Sequence, residues 1–184
     1  MNELTFHILD LIQNTIEAES TWAGLDIEEN IGANTLIIRV SDNGRGMDEK
    51  LLKSVIDPFI TTRTTRRVGL GLPLMDMSTQ MCGGYLKIES TPGVGTIVEA
   101  MYQHDHIDRP PIGNLVDTIK TILVGNQGFG FFYNHTVNCR QFSLSAEEIA
   151  KELDGINFSH PEVLKWLHEY LTGSISNLYE GVDL

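Results

Sequence analysis

Cysteine is nearly absent from this sequence. The two present, Cys82 and Cys139, lie far apart with no CxxC spacing, so a disulfide framework and a thiolate metal site both lack support, and the pair reads as buried thiols. Long apolar runs are missing as well: nothing approaches the roughly 18 residues that span a bilayer. The start, Met1-Asn2-Glu3, has no basic signal-peptide region. Together these absences give the expectation of a cytoplasmic protein without membrane contact. Positive charge is scarce, with 13 Lys and Arg against 25 Asp and Glu and a formal charge of −12. Binding phosphate-rich surfaces takes clustered cations, so neither nucleic acid nor anionic membrane is expected as a partner. GxxxxGK followed by Ser or Thr, GxGxxG and HExxH do not occur, which excludes a P-loop, leaves a dinucleotide fold without support and removes the zinc-protease helix.

What remains is ordinary for a globular chain, 184 residues of which 41% are hydrophobic and 21% charged, long enough to bury roughly 70% of its unfolded surface. Its organising stretch is Asp42-Asn43-Gly44-Arg45-Gly46-Met47. This follows Thr35 to Ser41, which is dense in Ile, Val and Leu and reads as a strand, while Asn-Gly reads as a turn. A strand therefore ends in a carboxylate, with Gly44 and Gly46 just beyond. Glycine has no Cβ, so backbone there can approach a flat ligand closely. A carboxylate fixed beside such backbone suits an amino-substituted base such as adenine. The competing reading is a tight turn whose Asp caps its own loop.

Two further elements stand in the order that one nucleotide site needs. Upstream, residues 2 to 19 carry Leu4, Ile8, Leu11, Ile12 and Ile16 at steps that predict an amphipathic helix. Asp10 and Asn14 are one turn apart on one face of it, and Ala18 continues that face. An amide oxygen beside a carboxylate is a hard-ligand pair suited to hydrated magnesium, or else a plain solvated face. Residues 20 to 34 predict a short strand and a turn. Residues 48 to 56 predict a short helix with acidic residues in its first turn, stopped at Asp57-Pro58. Downstream, a polar stretch containing Arg63, Arg66 and Arg67 leads into Gly69-Leu70-Gly71 and a helix with Leu70, Leu74, Met77 and Met81 on one face. Cations feeding glycines at a helix start can bind phosphate through first-turn amides; an exposed hinge loop is the alternative. Residues 85–90 and 96–102 alternate as a hairpin around Pro92-Gly93. The order predicts helices on one face of a mixed sheet.

From Gln103 the chain turns polar and proline-stiffened, and His104, His106 and Asp108 alternate there without a full ligand set for a metal. The expected division is 1–102 as one domain, 103–112 as a connector and 113–184 as a small α+β subdomain. That tail predicts a helix over 113–124, a two-stranded segment over 129–142 turning near Asn138, a helix over 145–153 with Ser145 and Glu148 as a capping box, and a helix over 161–171 begun by Pro161. Phe131, Phe132, Tyr133, Phe142 and Trp166 read as core.

The boxes just quoted resemble those of the GHKL ATPases, the superfamily of the gyrase B subunit, the heat-shock chaperone, histidine kinases and mismatch-repair ATPases. Asp10 to Asn14 is similar to its N box, Asp42 to Met47 to its first glycine box, Gly69 to Leu72 to its second, and Gly93 to Thr96 to its last. The resemblance implies an α+β Bergerat-type two-layer sandwich, a mixed sheet with helices on one face, holding ATP and Mg2+. It implies that Asn14 ligates magnesium, Asp42 accepts the adenine amino group, Gly46 lies close to the base, Thr96 supports Asp42, and Gly69 and Gly71 close a lid over the phosphates. Gly44, Met47 and Leu70 belong to the same boxes, whereas a phosphate role for Arg63, Arg66 and Arg67 rests on charge alone.

Two departures bear on mechanism. Hydrolytic members carry Glu where this chain has Asp10, so a general base would sit one methylene further from its water, and slow turnover is expected. His7 precedes Asp10, yet no helix pair comes before it to present a phosphoacceptor, so a packing histidine is the expectation. The tail resembles stand-alone ATP-binding proteins that accompany iron-only hydrogenase subunits in anaerobes. The resemblance thus implies a slow ATPase or protein kinase with a protein partner or phosphoacceptor, a homodimer being open. The alternative is a non-catalytic ATP-responsive module whose lid, 57–68, controls a partner.

Overall fold

Strand alternation decides which face of the sheet is covered. In β2 (Thr35–Asp42), Leu36, Ile38 and Val40 are buried while Ile37, Arg39 and Ser41 between them are partly open. The computed structural model, which describes residues 3–55 and 71–182, sets these against matching rows on each side. Leu25 and Ile27 of β1 (Trp22–Asn30) oppose Val40 and Ile38 in antiparallel register. Val98, Ala100 and Tyr102 of β4 (Gly95–Gln103) oppose Val40, Ile38 and Leu36 from the other side. Because side chains repeat every two residues, this register puts all of these on one face.

Beyond β4 lies β3 (Tyr85–Thr91), antiparallel to it. Beyond β1 lies β5 (Gly130–Val137), which pairs with β1 in parallel, and then β6 (Arg140–Ser145), antiparallel to β5. Among the described residues this makes one six-stranded mixed sheet in the order β3-β4-β2-β1-β5-β6. The opposite face carries Asp26, Arg39, Lys87 and Glu99 and stays open, with an Arg39–Glu99 ion pair across it.

Helices cover the apolar face. In α1 (Leu4–Glu17), Leu4, Ile8, Leu11 and Ile12 are buried at helical spacing. Further cover comes from Met75 of α3 (Gly71–Met81), Ile119 and Ile122 of α4 (Leu115–Gly125), and Leu167 and Leu171 of α6 (Pro161–Leu178). These side chains form one continuous hydrophobic cluster with the strand residues, and each large one contributes roughly 1.5–3 kcal/mol by leaving water. Two short helices complete the set. In α2 (Glu49–Ser54) the Asp48 carboxylate caps the Leu51 amide at 2.8 Å. In α5 (Ala146–Glu152) the Ser145 hydroxyl accepts from Glu148 N at 3.4 Å, as the capping pattern predicts.

Several expectations need revision here. Beyond 103–112, β5 and β6 add to the sheet formed by β1 to β4, and Phe131, Tyr133 and Leu144 join the same cluster. The last helix runs on to Leu178 rather than stopping near 171, because Leu171 and Leu178 are both buried anchors and Gly173 between them meets nothing. Cys82 is buried, but Cys139 lies exposed at the β5–β6 turn, and both are free thiols. Phe131 and Tyr133 are core, whereas Phe132 is on the open face and Trp166 stacks on Tyr170 at the surface.

The tail is fastened at the far end of β1. Glu29, 3% exposed, accepts from His135 Nε2 at 2.8 Å, pairs with His104 Nε2 at 2.9 Å and accepts from the Tyr179 hydroxyl at the end of α6. Burial alone would raise the Glu29 pKa, but the hydrogen bonds from His135, Tyr179 and His104 pull it down to about 2. His104 thus faces a carboxylate, and no group of three or more His, Cys, Asp or Glu side chains able to hold a metal exists among the described residues. His7 is packed into α1 at 5% exposure, where burial lowers its pKa. Among the described residues no helix is long and apolar enough to cross a membrane.

Candidate functional site

At the other end of β1 the layers part around a cavity of about 320 Å³, within the range of small-molecule sites. It lies between the C-terminal half of α1, the ends of β2 and β4, the loop after β2, and α2. Asp10, Asn14, Asp42, Gly46, Met47, Gly71 and Thr96 all line it, with Leu11, Val40, Leu51 and Val98 as apolar wall. Arg63, Arg66, Arg67, Gly69, Leu70 and the 57–68 lid lie outside the described residues.

Asp42 is held on one side and open on the other. Its Oδ1 accepts from Gly44 N at 2.8 Å and, more loosely, from Thr96 N at 3.3 Å. Thr96 is its cross-strand partner. Oδ2 has no hydrogen-bond partner among the described residues, and Asp42 lines the cavity. Burial raises the Asp42 pKa, with the Gly44 and Thr96 amides opposing. The result is an oriented acceptor beside an apolar slot.

The loop that carries these groups is fixed from several sides. The Asn43 carboxamide accepts from Thr21 N and Trp22 N at 3.0 and 3.1 Å, tying the loop to the start of β1. Arg45 N donates to Ala18 O at 2.9 Å, so the end of α1 is stapled to the same loop. Gly46 has φ +64°, and a Cβ there would fall 2.1 Å from the Thr91 carbonyl oxygen. The close approach that requires glycine at 46 is therefore to the β3–β4 turn, although the residue also borders the cavity. Gly44 serves through its amide.

Across the cavity Asn14 Nδ2 donates to Asp10 Oδ2 at 3.4 Å. Gly71, the first described residue of α3, abuts the same carboxylate: a Cβ there would fall 1.7 Å from Asp10 Oδ2. A side chain at 71 would push Asp10 out of place. Sequence reasoning passed over Ser90, whose Oγ accepts from Met47 N at 2.8 Å and lies 2.8 Å from Thr96 Oγ1. The hairpin register, which pairs Ser90 with Thr96 across the Pro92 turn, was the signal available.

Residues 2–105 match the family described as "Histidine kinase-, DNA gyrase B-, and HSP90-like ATPase". The chain belongs to this family. Among its relatives, Sporulation kinase C of Bacillus subtilis is 33% identical over 100 residues, which cover 54% of this chain and 23% of that protein. Sensor protein kinase FleS of Pseudomonas aeruginosa is 38% identical over 89 residues, covering 48% of this chain and 22% of the kinase. The chain thus spans less than a quarter of either relative. In three dimensions it is similar to the N-terminal domain of a DNA repair protein, with a TM-score of 0.53 at 17% identity, covering 79% of this chain and 53% of that one. That likeness bears on the fold alone, an α+β sandwich, and it extends past residue 105 into the tail. Family membership identifies the match as an ATP-binding ATPase domain of the kind found in histidine kinases.

Proposed function

We propose that the cavity binds Mg-ATP and that the protein is a slow ATPase or protein kinase with a regulatory role. The observation that carries this is the state of Asp42: one oxygen anchored by two backbone amides, the other toward an apolar slot, which suits the exocyclic amine of adenine. Val40 and Val98 would flank the ring. The phosphates would then extend toward Asp10, Asn14 and the start of α3, with Arg63, Arg66 and Arg67 as further charge and Gly69, Leu70 and Gly71 as lid.

The donor set on α1 fits magnesium: an amide and a carboxylate one turn apart, in contact through Asn14 Nδ2 and Asp10 Oδ2, are hard oxygen ligands of the few that this ion takes from protein. The Asn14 amide oxygen would hold it, and the bound ion would neutralise phosphate charge. Asp10 would serve as general base or orient a water, and its short side chain predicts slow chemistry.

The second reading, a non-catalytic ATP-responsive module acting on a partner protein, is favoured by the engagement of Asp10 with Asn14 and its packing on Gly71. Incubation with ATP labelled at the γ-phosphate separates the two. Slow phosphate release or transfer that is lost in Asp10→Ala supports the enzyme. Binding without release or transfer supports the module, and release unchanged in Asp10→Ala removes that residue's role.

A further inference from the structure

Ser90, Thr96 and Asp42 stand in one row across β3, β4 and β2. Ser90 Oγ sits at the centre of three contacts: Met47 N at 2.8 Å, Gly95 O at 3.1 Å and Thr96 Oγ1 at 2.8 Å. A hydroxyl has one proton and two acceptor positions. The Met47 amide can only donate, so it takes one lone pair. If the Ser90 proton goes to the Gly95 carbonyl, which can only accept, the second lone pair receives the Thr96 proton, and all three contacts are hydrogen bonds. If the Ser90 proton goes to Thr96 instead, the contact with Gly95 is lost. The first arrangement satisfies more groups, and it leaves Oγ1 of the cavity-lining Thr96 with lone pairs only.

We propose that Ser90 is a specificity-determining positioning residue that locks the Thr96 hydroxyl as an acceptor, so that the site selects 6-aminopurines over 6-oxopurines. The proposal rests on the adenine-nucleotide reading above. With Ser90 in place the ring edge meets two acceptors, Asp42 Oδ2 and Thr96 Oγ1. A 6-amino group donates to the first, and a water can donate both to the ring N1 and to the second. A 6-oxopurine reverses both positions, setting its oxygen against a carboxylate and an N1–H where the water would donate, with no hydroxyl free to turn and donate to the oxygen. Without Ser90 the Thr96 proton is released from Ser90 Oγ and can rotate toward the ring, where it can satisfy a 6-oxo group.

The test is titration calorimetry of the whole chain with magnesium and either ATP or inosine triphosphate, on the native protein, Ser90→Ala and Ser90→Thr. The native protein is expected to prefer ATP by roughly 100-fold or more, and Ser90→Ala to lose about tenfold in ATP affinity, the scale of one hydrogen bond. The same variant should keep or improve its affinity for inosine triphosphate, so the preference narrows at least tenfold, and Ser90→Thr should restore it. Should Ser90→Ala fail to fold, the isosteric Thr96→Val removes the same acceptor and is expected to narrow the preference likewise. Equal weakening of both nucleotides, with the preference intact, overturns the role of Ser90 and leaves it a plain structural hydroxyl. Absence of heat from either nucleotide with the native protein overturns the nucleotide reading itself, a result distinct from any seen in the variants.

Discussion

Asp42 and Glu29 are carboxylates on the same sheet at opposite ends of β1, and they have been given opposite environments. Glu29, almost fully buried, spends both oxygens on His135, Tyr179 and His104, and its pKa falls to about 2. Asp42 spends one oxygen on two backbone amides, keeps the other toward a cavity, and has its pKa raised by burial. Burial taxes both. Only at Glu29 do partners overcompensate, and those partners come from the tail and, with His104, from the stretch just after β4, so that end of the sheet is closed and structural. At Asp42 the compensation is incomplete, which leaves an acceptor able to gain a donor. An unspent acceptor in a cavity wall marks a candidate ligand site.

Breaking the closed end should have the largest effect on stability. Glu29→Gln weakens a buried charge network that joins β1, β5 and α6, and should cost about 3 kcal/mol, a fall in melting temperature of roughly 6–12 °C for a domain of this size, with nucleotide affinity unchanged. The same group governs acid stability. Its folded pKa of about 2 lies below the ordinary 4.5, so its contribution is full above about pH 4.5 and drains away as pH falls toward 2. Acid titration of unfolding should show that slope in the native protein and a shallower one in Glu29→Gln.

Smaller effects belong to the open end. Gly46→Ala places a Cβ against the Thr91 carbonyl at φ +64° and should destabilise by about 2 kcal/mol while weakening nucleotide binding, measurable by urea melts and calorimetry. Gly71→Ala places a Cβ against the Asp10 carboxylate and should displace it, lowering any turnover by roughly 10- to 100-fold, read as phosphate release. Asp42→Asn should slightly raise stability at neutral pH. The ionised Asp42 is disfavoured in the fold because its pKa is raised, so this gain should vanish below its unperturbed 3.8. A loss of stability in Asp42→Asn would place Asp42 in the same class as Glu29.

The open end was far more legible in the sequence than the closed one. Asp42 announces itself at the end of an alternating strand before two glycines, and Asp10 and Asn14 share a helix face by spacing alone, because the signals are local. The positions flanking Ser90 read as a hairpin, yet a hydroxyl in a strand carries no mark of where its proton goes. The Glu29 network is invisible for a stronger reason: its partners stand 75, 106 and 150 residues away. The parallel pairing of β1 with β5 has the same long reach, for the chain passes the polar run at 103–112 and the whole of α4 before β5 begins. Helix α6 outran its expected end because buried leucines on either side of Gly173 outweigh the modest cost of one glycine, about 1 kcal/mol.

The most direct test is thermal melting with and without Mg-ATP on three proteins: the native chain, Glu29→Gln and Asp42→Ala. At a hundredfold excess over the dissociation constant, the native protein and Glu29→Gln should each gain about 2.7 kcal/mol from the ligand, from different starting stabilities, while Asp42→Ala should gain nothing. No gain in the native protein, or an equal gain in Asp42→Ala, would contradict the assignment of the open carboxylate to the base of ATP.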